Sequence, residues 1–264
     1  MPSGSSGRLT VSVVVPVKDD ATELARCLRA LALQTRTAHE IVVVDNGSRD
    51  HSAQVGRDAG ARVVRCDRPG IPAASAYGYD QASGDIILRL DADCLPGPRW
   101  IETMAVAFEA RPEVAAFTGG ARFIDGPRPL RRWLAAAYLG VYAAVLIPTL
   151  GHLPLFGSNL AFRRDVWRGI RSHVHRTSPS LHDDLDLAFH LGERHRIRYL
   201  PDAAMGISMR PFADRRAFAQ RVARGFGTVL VHWPRDFPPV RWVRLGLRRG
   251  LRRLGVPAPG RSAR

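Results

Sequence analysis

The sequence predicts an α/β fold with a mostly parallel sheet flanked by helices. Over the first ninety residues, short β-branched runs alternate with stretches of helical period, the pattern of right-handed βαβ units. Composition agrees: 45% hydrophobic and 24% charged residues in a chain of 264 describe a globular protein with a real core, not a disordered one.

Residues 11–15, closed by Pro16, read as a strand buried on both faces. Leu24, Cys27, Leu28 and Leu31 then recur at helical spacing. Residues 41–44 form a second buried strand, ending in the turn signal Asp45-Asn46-Gly47-Ser48. A short helix near 52–59, a strand at 61–64 and a helix over 73–82 follow. The fourth strand, 86–90, runs straight into Asp91-Ala92-Asp93. The second half is less regular. A helix is expected over 100–109, and a basic patch at 128–132 precedes eighteen uncharged residues, 133–150. That stretch nearly reaches the roughly 20 residues of a membrane span. It lies between segments that must share one compartment, so a buried or interfacial helix is expected. Residues 156–162 are a glycine-kinked apolar segment, and His182-Asp183-Asp184-Leu185-Asp186 opens another helix.

In parallel sheets, ligands sit beyond the carboxyl ends of the strands. Pro16, Asp45 and the Asp91/Asp93 pair all fall there. The alternate residues of a D-x-D point to one side of an extended backbone. Two like charges so close invite a hard dication such as Mg2+ or Mn2+ bridging phosphate oxygens; a solvated Asp turn has the same spacing. Asp183, Asp184 and Asp186 suit a general base at a helix N-terminus, and equally suit simple helix capping.

The strings SVVVPVKDDATELARCLRAL, EIVVVDNGSRD, GDIILRLDADCLP, GSNLAFRRDVW and HDDLDLAFHLG occur in this order. Together they resemble the inverting family 2 glycosyltransferases of the GT-A type, whose core is a Rossmann-like, mostly parallel sheet. The resemblance covers roughly residues 10–225. It implies a metal-dependent transfer of a sugar from a nucleotide-diphosphate sugar to an acceptor hydroxyl or phosphate. Position by position, it implies that Pro16 and Asp19 frame the base pocket and that Asp45 binds the base edge. Asp91 would lie near the ribose and the metal, Asp93 would be the direct ligand of Mg2+ or Mn2+, and Asp184 would be the base. Asp183 stands where a glutamate is usual and could exchange roles with Asp184. Residues 220–224, QRVAR, resemble a Q-x-x-R-W segment with Gly225 in place of Trp, so Arg224 and Arg221 become candidate diphosphate ligands. Ser75-Ala76 stands where many relatives carry Arg-Asn, so those nucleotide contacts must be supplied elsewhere.

The net charge of +15 comes from 39 basic and 24 acidic residues, and Lys18 is the only lysine. Residues 239–264 carry eight arginines and no acid. Val240, Val243, Leu247, Leu251 and Leu254 fall on one helical stripe among them, an amphipathic pattern over 240–254 suited to an anionic bilayer. A helix docked on the catalytic domain and a disordered basic tail remain alternatives. A lipid-linked or membrane-proximal acceptor is consistent with this pattern. No nucleic-acid module appears, so nucleic acid is not an expected partner. Cys27, Cys66 and Cys94 form no C-x-x-C pair, and residues 1–10 show no apolar leader segment. A cytoplasmic protein, peripheral on the inner face of the membrane, is therefore expected. The histidines show no H-E-x-x-H spacing; His232 alone is a candidate third metal or phosphate ligand. The expected organisation is a flexible arm at 1–8, a catalytic domain at 9–234 divided into 9–95 and 96–234, and a basic tail at 235–264. The rival readings are a sugar-phosphate nucleotidyltransferase and a catalytically inactive glycosyltransferase-like binding protein.

Overall fold

The computed structural model describes residues 8–253. The first half alternates as its periodicity requires: β1 (Val11–Val17), α1 (Ala21–Ala32), β2 (Glu40–Asp45), α2 (Ser52–Asp58), β3 (Arg62–Arg65), α3 (Ile71–Gln81) and β4 (Ile86–Arg89). These four strands are parallel in the order β3-β2-β1-β4. Helix α1 buries Leu24, Cys27, Leu28 and Leu31, the four residues of its apolar stripe. Strand alternation sends Val13, Val15 and Leu88 into the core on one face, and Val14, Val42 and Ile87 into that on the other. Helix α3 lies so close to the sheet that a Cβ on Gly78 would meet Val14 Cγ1 at 2.4 Å.

The second half adds β5 (Leu95–Pro96), α4 (Trp100–Ala110), β6 (Val114–Phe123), α5 (Arg131–Leu150), β7 (Leu160–Arg163), α6 (Arg164–Ile170) and α7 (Asp183–Arg194). It ends in β8 (Arg196–Ile207), α8 (Arg210–Ala213), α9 (Arg215–Val231) and α10 (Pro238–Arg253). One sheet runs through both halves, continuing from β4 as β7-β6-β8-β5. Strand β7 is antiparallel to both neighbours, β6 and β8 are parallel, and β5 closes the edge antiparallel to β8. Sequence periodicity did not announce β5, β6 or β8. Strand β6 is rich in Ala and Gly, and β8 is largely exposed along its first half.

Two helices, α5 and α10, carried alternative readings. In α5 only Ala135, Leu146 and Leu150 are buried, whereas Trp133, Val141 and Val145 are exposed. By length and composition it is the one helix among the described residues able to cross a membrane. Pro148 does not break it; the helix ends one turn later on left-handed Gly151. Helix α10 is docked, and by its arginines. Arg241 is fully buried, donating to the carbonyls of Leu150 (2.7 Å) and Phe189 (2.9 Å) and to Asp236 (2.8 Å). Leu245 is buried beside it, while Val240, Val243 and Leu247 face outward. Leu254 and the remaining tail lie outside the described residues.

Candidate active site

The carboxyl ends of β1, β2 and β4 converge with the N-terminus of α7. At the nucleotide end, Pro16 pairs with Val44 in the parallel ladder. Asp19 holds a left-handed backbone (φ 52°), uncommon for a residue with a side chain. It is held by reciprocal bonds: its N–H donates to Ser48 Oγ (3.1 Å), and its Oδ1 accepts from the Arg49 N–H (2.6 Å). Asp45 is buried and accepts from the Ser48 N–H at 3.0 Å, so Asp19 and Asp45 are clamped to one loop. Asn46, read in the sequence only as part of a turn, donates to the carbonyls of Cys66 and Arg68 and accepts from the Gly70 N–H. It thereby ties the loops after β2 and β3 together.

The acidic centre is organised by Arg89, the last residue of β4. Its side chain is 3% exposed and reaches Asp91 at 2.8 Å and Asp183 at 3.4 Å. Burial works against its charge, but Asp183 and Asp91 raise its affinity for the proton beyond that of a free guanidinium. Ser158 Oγ also donates to Asp91 (2.6 Å), and Ser75 Oγ to Asp183 (2.7 Å). The position where an arginine was missed in the sequence thus serves Asp183 with a hydroxyl, while the cation arrives from the strand. Burial pushes the Asp183 carboxyl up, with repulsion from Asp184 in the same direction and Arg89 opposing.

Asp184 accepts from the Gly157 N–H and from the Leu185 N–H, both at 2.8 Å. A Cβ on Gly157 would lie 2.3 Å from Arg89 Nη1 and 3.0 Å from Asp184 Oδ2, so only glycine fits between them. The next two residues divide their tasks. Ser158 serves the site, whereas Asn159 is a fully buried hub binding Trp100 Nε1 and the carbonyls of Gly120 and Ala203. Tyr138 and Tyr142 of α5 lie within reach of the Asp184 charge, the Tyr142 hydroxyl donating to the Leu155 carbonyl (2.9 Å), and burial raises both hydroxyls above the ordinary tyrosine value.

Asp93 faces a second arginine unforeseen from the sequence. Arg210, at the start of α8, donates to Asp93 at 3.0 Å and to Asp20 at 2.7 Å. Burial and then Asp91 push the Asp93 carboxyl up, while Arg210 pulls it down. The donors of Asp91, Asp93 and Cys94 lie within 4.8 Å of one another. Burial keeps the Cys94 thiol protonated, leaving an all-oxygen pair that fits a hard dication. Two expected ligands are not brought here. Arg224 is exposed on α9, where Arg221 instead stands beside the Tyr138 hydroxyl. His232 is turned away from the D-x-D and binds Asp186 at 2.9 Å.

A family model described as Glycosyl transferase family 2 matches residues 12–171. The chain belongs to that family. This sets aside the nucleotidyltransferase reading. Glycosyltransferase AglE of Haloferax volcanii is 35% identical over 100 residues, 35% of this chain and 33% of that protein. An undecaprenyl-phosphate 4-deoxy-4-formamido-L-arabinose transferase of Pseudomonas fluorescens is 36% identical over 122 residues, 42% of this chain and 36% of the relative. The chain thus spans about a third of the length of these curated relatives. Among solved structures, the mannosyltransferase PcManGT of Pyrobaculum calidifontis, in complex with GDP-Man and Mn2+, superposes with a TM-score of 0.61 at 19% identity. That match covers 96% of this chain and 78% of the other. Glucosyl-3-phosphoglycerate synthase of Mycobacterium tuberculosis, bound to Mn2+, UDP-Glc and phosphoglyceric acid, gives 0.55 at 21%, covering 82% of this chain and 79% of that one. Both likenesses establish the GT-A-like fold.

Proposed function

We propose that the chain transfers a sugar, with inversion, from a nucleotide-diphosphate sugar to a lipid-linked hydroxyl or phosphate at a membrane surface. The observation that carries this reading is the joining of Asp91 to Asp183 through Arg89, and to Asp184 through the adjacent Ser158 and Gly157, at the carboxyl end of β4 with Asp93 two residues on. Asp19 and Asp45 would hold the base, with Pro16 as a wall of its pocket. Asp91 and Asp93 would hold Mg2+ or Mn2+, which when bound neutralises charge on the departing diphosphate. Arg210 would leave Asp93 and turn to the phosphates, exchanging one anion for another. Asp184 takes the proton of an acceptor hydroxyl, because Asp183 is already committed to Arg89 and Ser75.

The acceptor argument rests on α5. Its Tyr138 and Tyr142 face the acidic centre, while Trp133, Val141 and Val145 of the same helix are exposed. A lipid chain lying along that surface would bring its head group to Asp184. Helix α5 would then lie in the membrane interface, with α10 beside it through the Trp242–Pro148 hydrogen bond. The three free, buried cysteines suit a reducing, cytoplasmic location. The test is a thermal-shift screen of UDP- and GDP-sugars with Mn2+ or Mg2+, followed by transfer to a polyprenyl phosphate. Metal-dependent stabilisation by one nucleotide, lost in Asp93→Ala, is expected. Binding without turnover on any lipid acceptor would leave a binding protein and overturn the proposal.

A further inference from the structure

Outside the acidic centre, three histidines distant in sequence meet around one buried carboxylate. Asp186 of α7 is 4% exposed, and its Oδ1 lies 2.7 Å from His175 Nδ1, 2.9 Å from His232 Nε2 and 3.5 Å from His190 Nε2. The other oxygen, Oδ2, accepts from the His175 N–H at 2.8 Å. All four donor atoms fall within 4.8 Å of one another. His190 Nε2 is buried and has no hydrogen-bond partner. Oδ1 is already engaged by two imidazoles, and the third stands at ion-pair distance, 3.5 Å, without hydrogen-bond geometry. Leaving a buried polar atom unpaired is costly, whereas a cation among the four would give each of the three facing nitrogens a partner.

We propose that His175, Asp186, His190 and His232 form a second metal site, structural and separate from the donor-binding cation, that takes a borderline dication of the Zn2+ type. Tetrahedral Zn2+ with ligands at about 2.0–2.1 Å sets them about 3.3 Å apart; Asp186 Oδ1 lies 2.7, 2.9 and 3.5 Å from the three nitrogens, and all four atoms fall within 4.8 Å of one another. Three imidazoles and one carboxylate select such an ion, while the oxygen pair of Asp91 and Asp93 selects Mg2+ or Mn2+. His232 is oriented from behind: its ring stacks on Phe189 with centroids 4.0 Å apart, and Asp236 Oδ2 lies 3.8 Å from its Nδ1. The half-exposed His175 offers the way in. All four positions are filled by protein, so no open position for water chemistry remains. The ion would join the loop before α7, α7 itself and the end of α9. It would fix the helix whose first residues are Asp183 and Asp184.

The experiment uses the full chain without a histidine tag, stripped with a chelator and then equilibrated with Zn2+ or Co2+ and dialysed. Retained metal is counted by mass spectrometry, and Co2+ geometry is read from its visible bands. Wild type should retain about one Zn2+ per chain and show a tetrahedral Co2+ spectrum. H175A and H190Q, at the two more exposed ligands, should weaken retention roughly tenfold or more and lose that spectrum. The double variant D91N/D93N should keep both. Zn2+ should also raise the melting temperature of wild type and not of H190Q, a readout that does not require D186N to fold. Failure of wild type to retain zinc, equal retention by H175A and H190Q, or loss in D91N/D93N would each overturn the assignment. None of these outcomes depends on glycosyl transfer.

Discussion

Replacing Arg89 by methionine, close in length and without charge, should cost more stability than any other single change at the site. The guanidinium is almost fully buried and holds Asp91 and Asp183 at 2.8 and 3.4 Å. Removing one partner of a buried ion pair costs about 3–5 kcal/mol, because the other charge stays buried and unpaired. Asp183 is 11% exposed and meets that condition, while Asp91, at 31%, recovers some solvation. The lower end, about 3 kcal/mol, is therefore expected at pH 7. For a domain of this size that corresponds to a fall in melting temperature of roughly 6–12 °C. The loss should depend on pH. Without Arg89 the Asp183 carboxyl, already raised by burial, rises further above its unfolded value. A carboxyl raised on folding binds more protons in the native state, so its contribution is present at low pH and lost as pH rises through the folded pKa. The gap between R89M and wild type should then be widest near pH 8 and narrow toward pH 5. Chemical denaturation at several pH values measures it. A gap below about 1 kcal/mol at pH 7, or one that widens on acidification, would refute the reasoning.

Three further outcomes follow from the same geometry. G157A places a methyl group against Arg89 and Asp184 and should cost about 1–3 kcal/mol by overpacking; a variant with the melting point of wild type would contradict the close approach. D184N should lower turnover roughly 10²–10⁴-fold in a radiolabelled sugar-transfer assay while leaving the circular dichroism spectrum intact, and full activity would remove Asp184 as the base. Because burial and Asp91 raise the Asp93 carboxyl, protons should compete with Mn2+ above the usual carboxylate range. Calorimetric Mn2+ affinity should therefore fall steadily from pH 7 to pH 5, and constant affinity would count against Asp93 as a ligand.

The parallel half of the sheet was readable because β1, β2 and β4 are buried on both faces, which forces unbroken apolar runs ending at the site. Strand β8 was not, since its first seven residues are largely exposed and carry Arg, Tyr and Asp in no alternating pattern. The carboxylates were legible for the same reason as the strands: Asp45 and Asp91 follow periodic strands to their ends, and Asp183 and Asp184 open a periodic helix. Their counter-charges were hidden. Arg89 looks like an interruption in the run IILRL until Asp183, remote in sequence, is brought beside it. Arg210 reaches Asp93 from a four-residue helix with no pattern of its own. The histidines gather only when the end of α9 returns to α7, so no spacing rule could find them.

The arginine-rich tail shows how composition and placement can point to different forces. Eight arginines without an acid over residues 239–264 suggest attraction to anionic lipid. Arg241, Arg244 and Arg248 face inward instead, bound to Asp236 just before the helix and to Glu193 of α7, so their charges are already spent. Among the described side chains, those of Val240, Trp242, Val243 and Leu247 are the large apolar ones α10 presents outward, as Trp133, Val141 and Val145 are on α5. Membrane contact through this surface would then be driven by apolar burial more than by charge. Sedimentation with vesicles of mixed neutral and anionic lipid separates the two forces, because surface electrostatics are screened over about 8 Å at physiological salt and apolar burial is not. Binding should survive an increase from 0.1 to 0.5 M salt (roughly halving the Debye length) with less than about a threefold loss. It should fall roughly tenfold or more in V243D/L247D, where two residues that would enter the interface become charged. R244Q/R248Q should instead loosen α10 from the body, lowering the melting temperature more than the vesicle affinity. Strong salt dependence with no effect of V243D/L247D would return the tail to an electrostatic role.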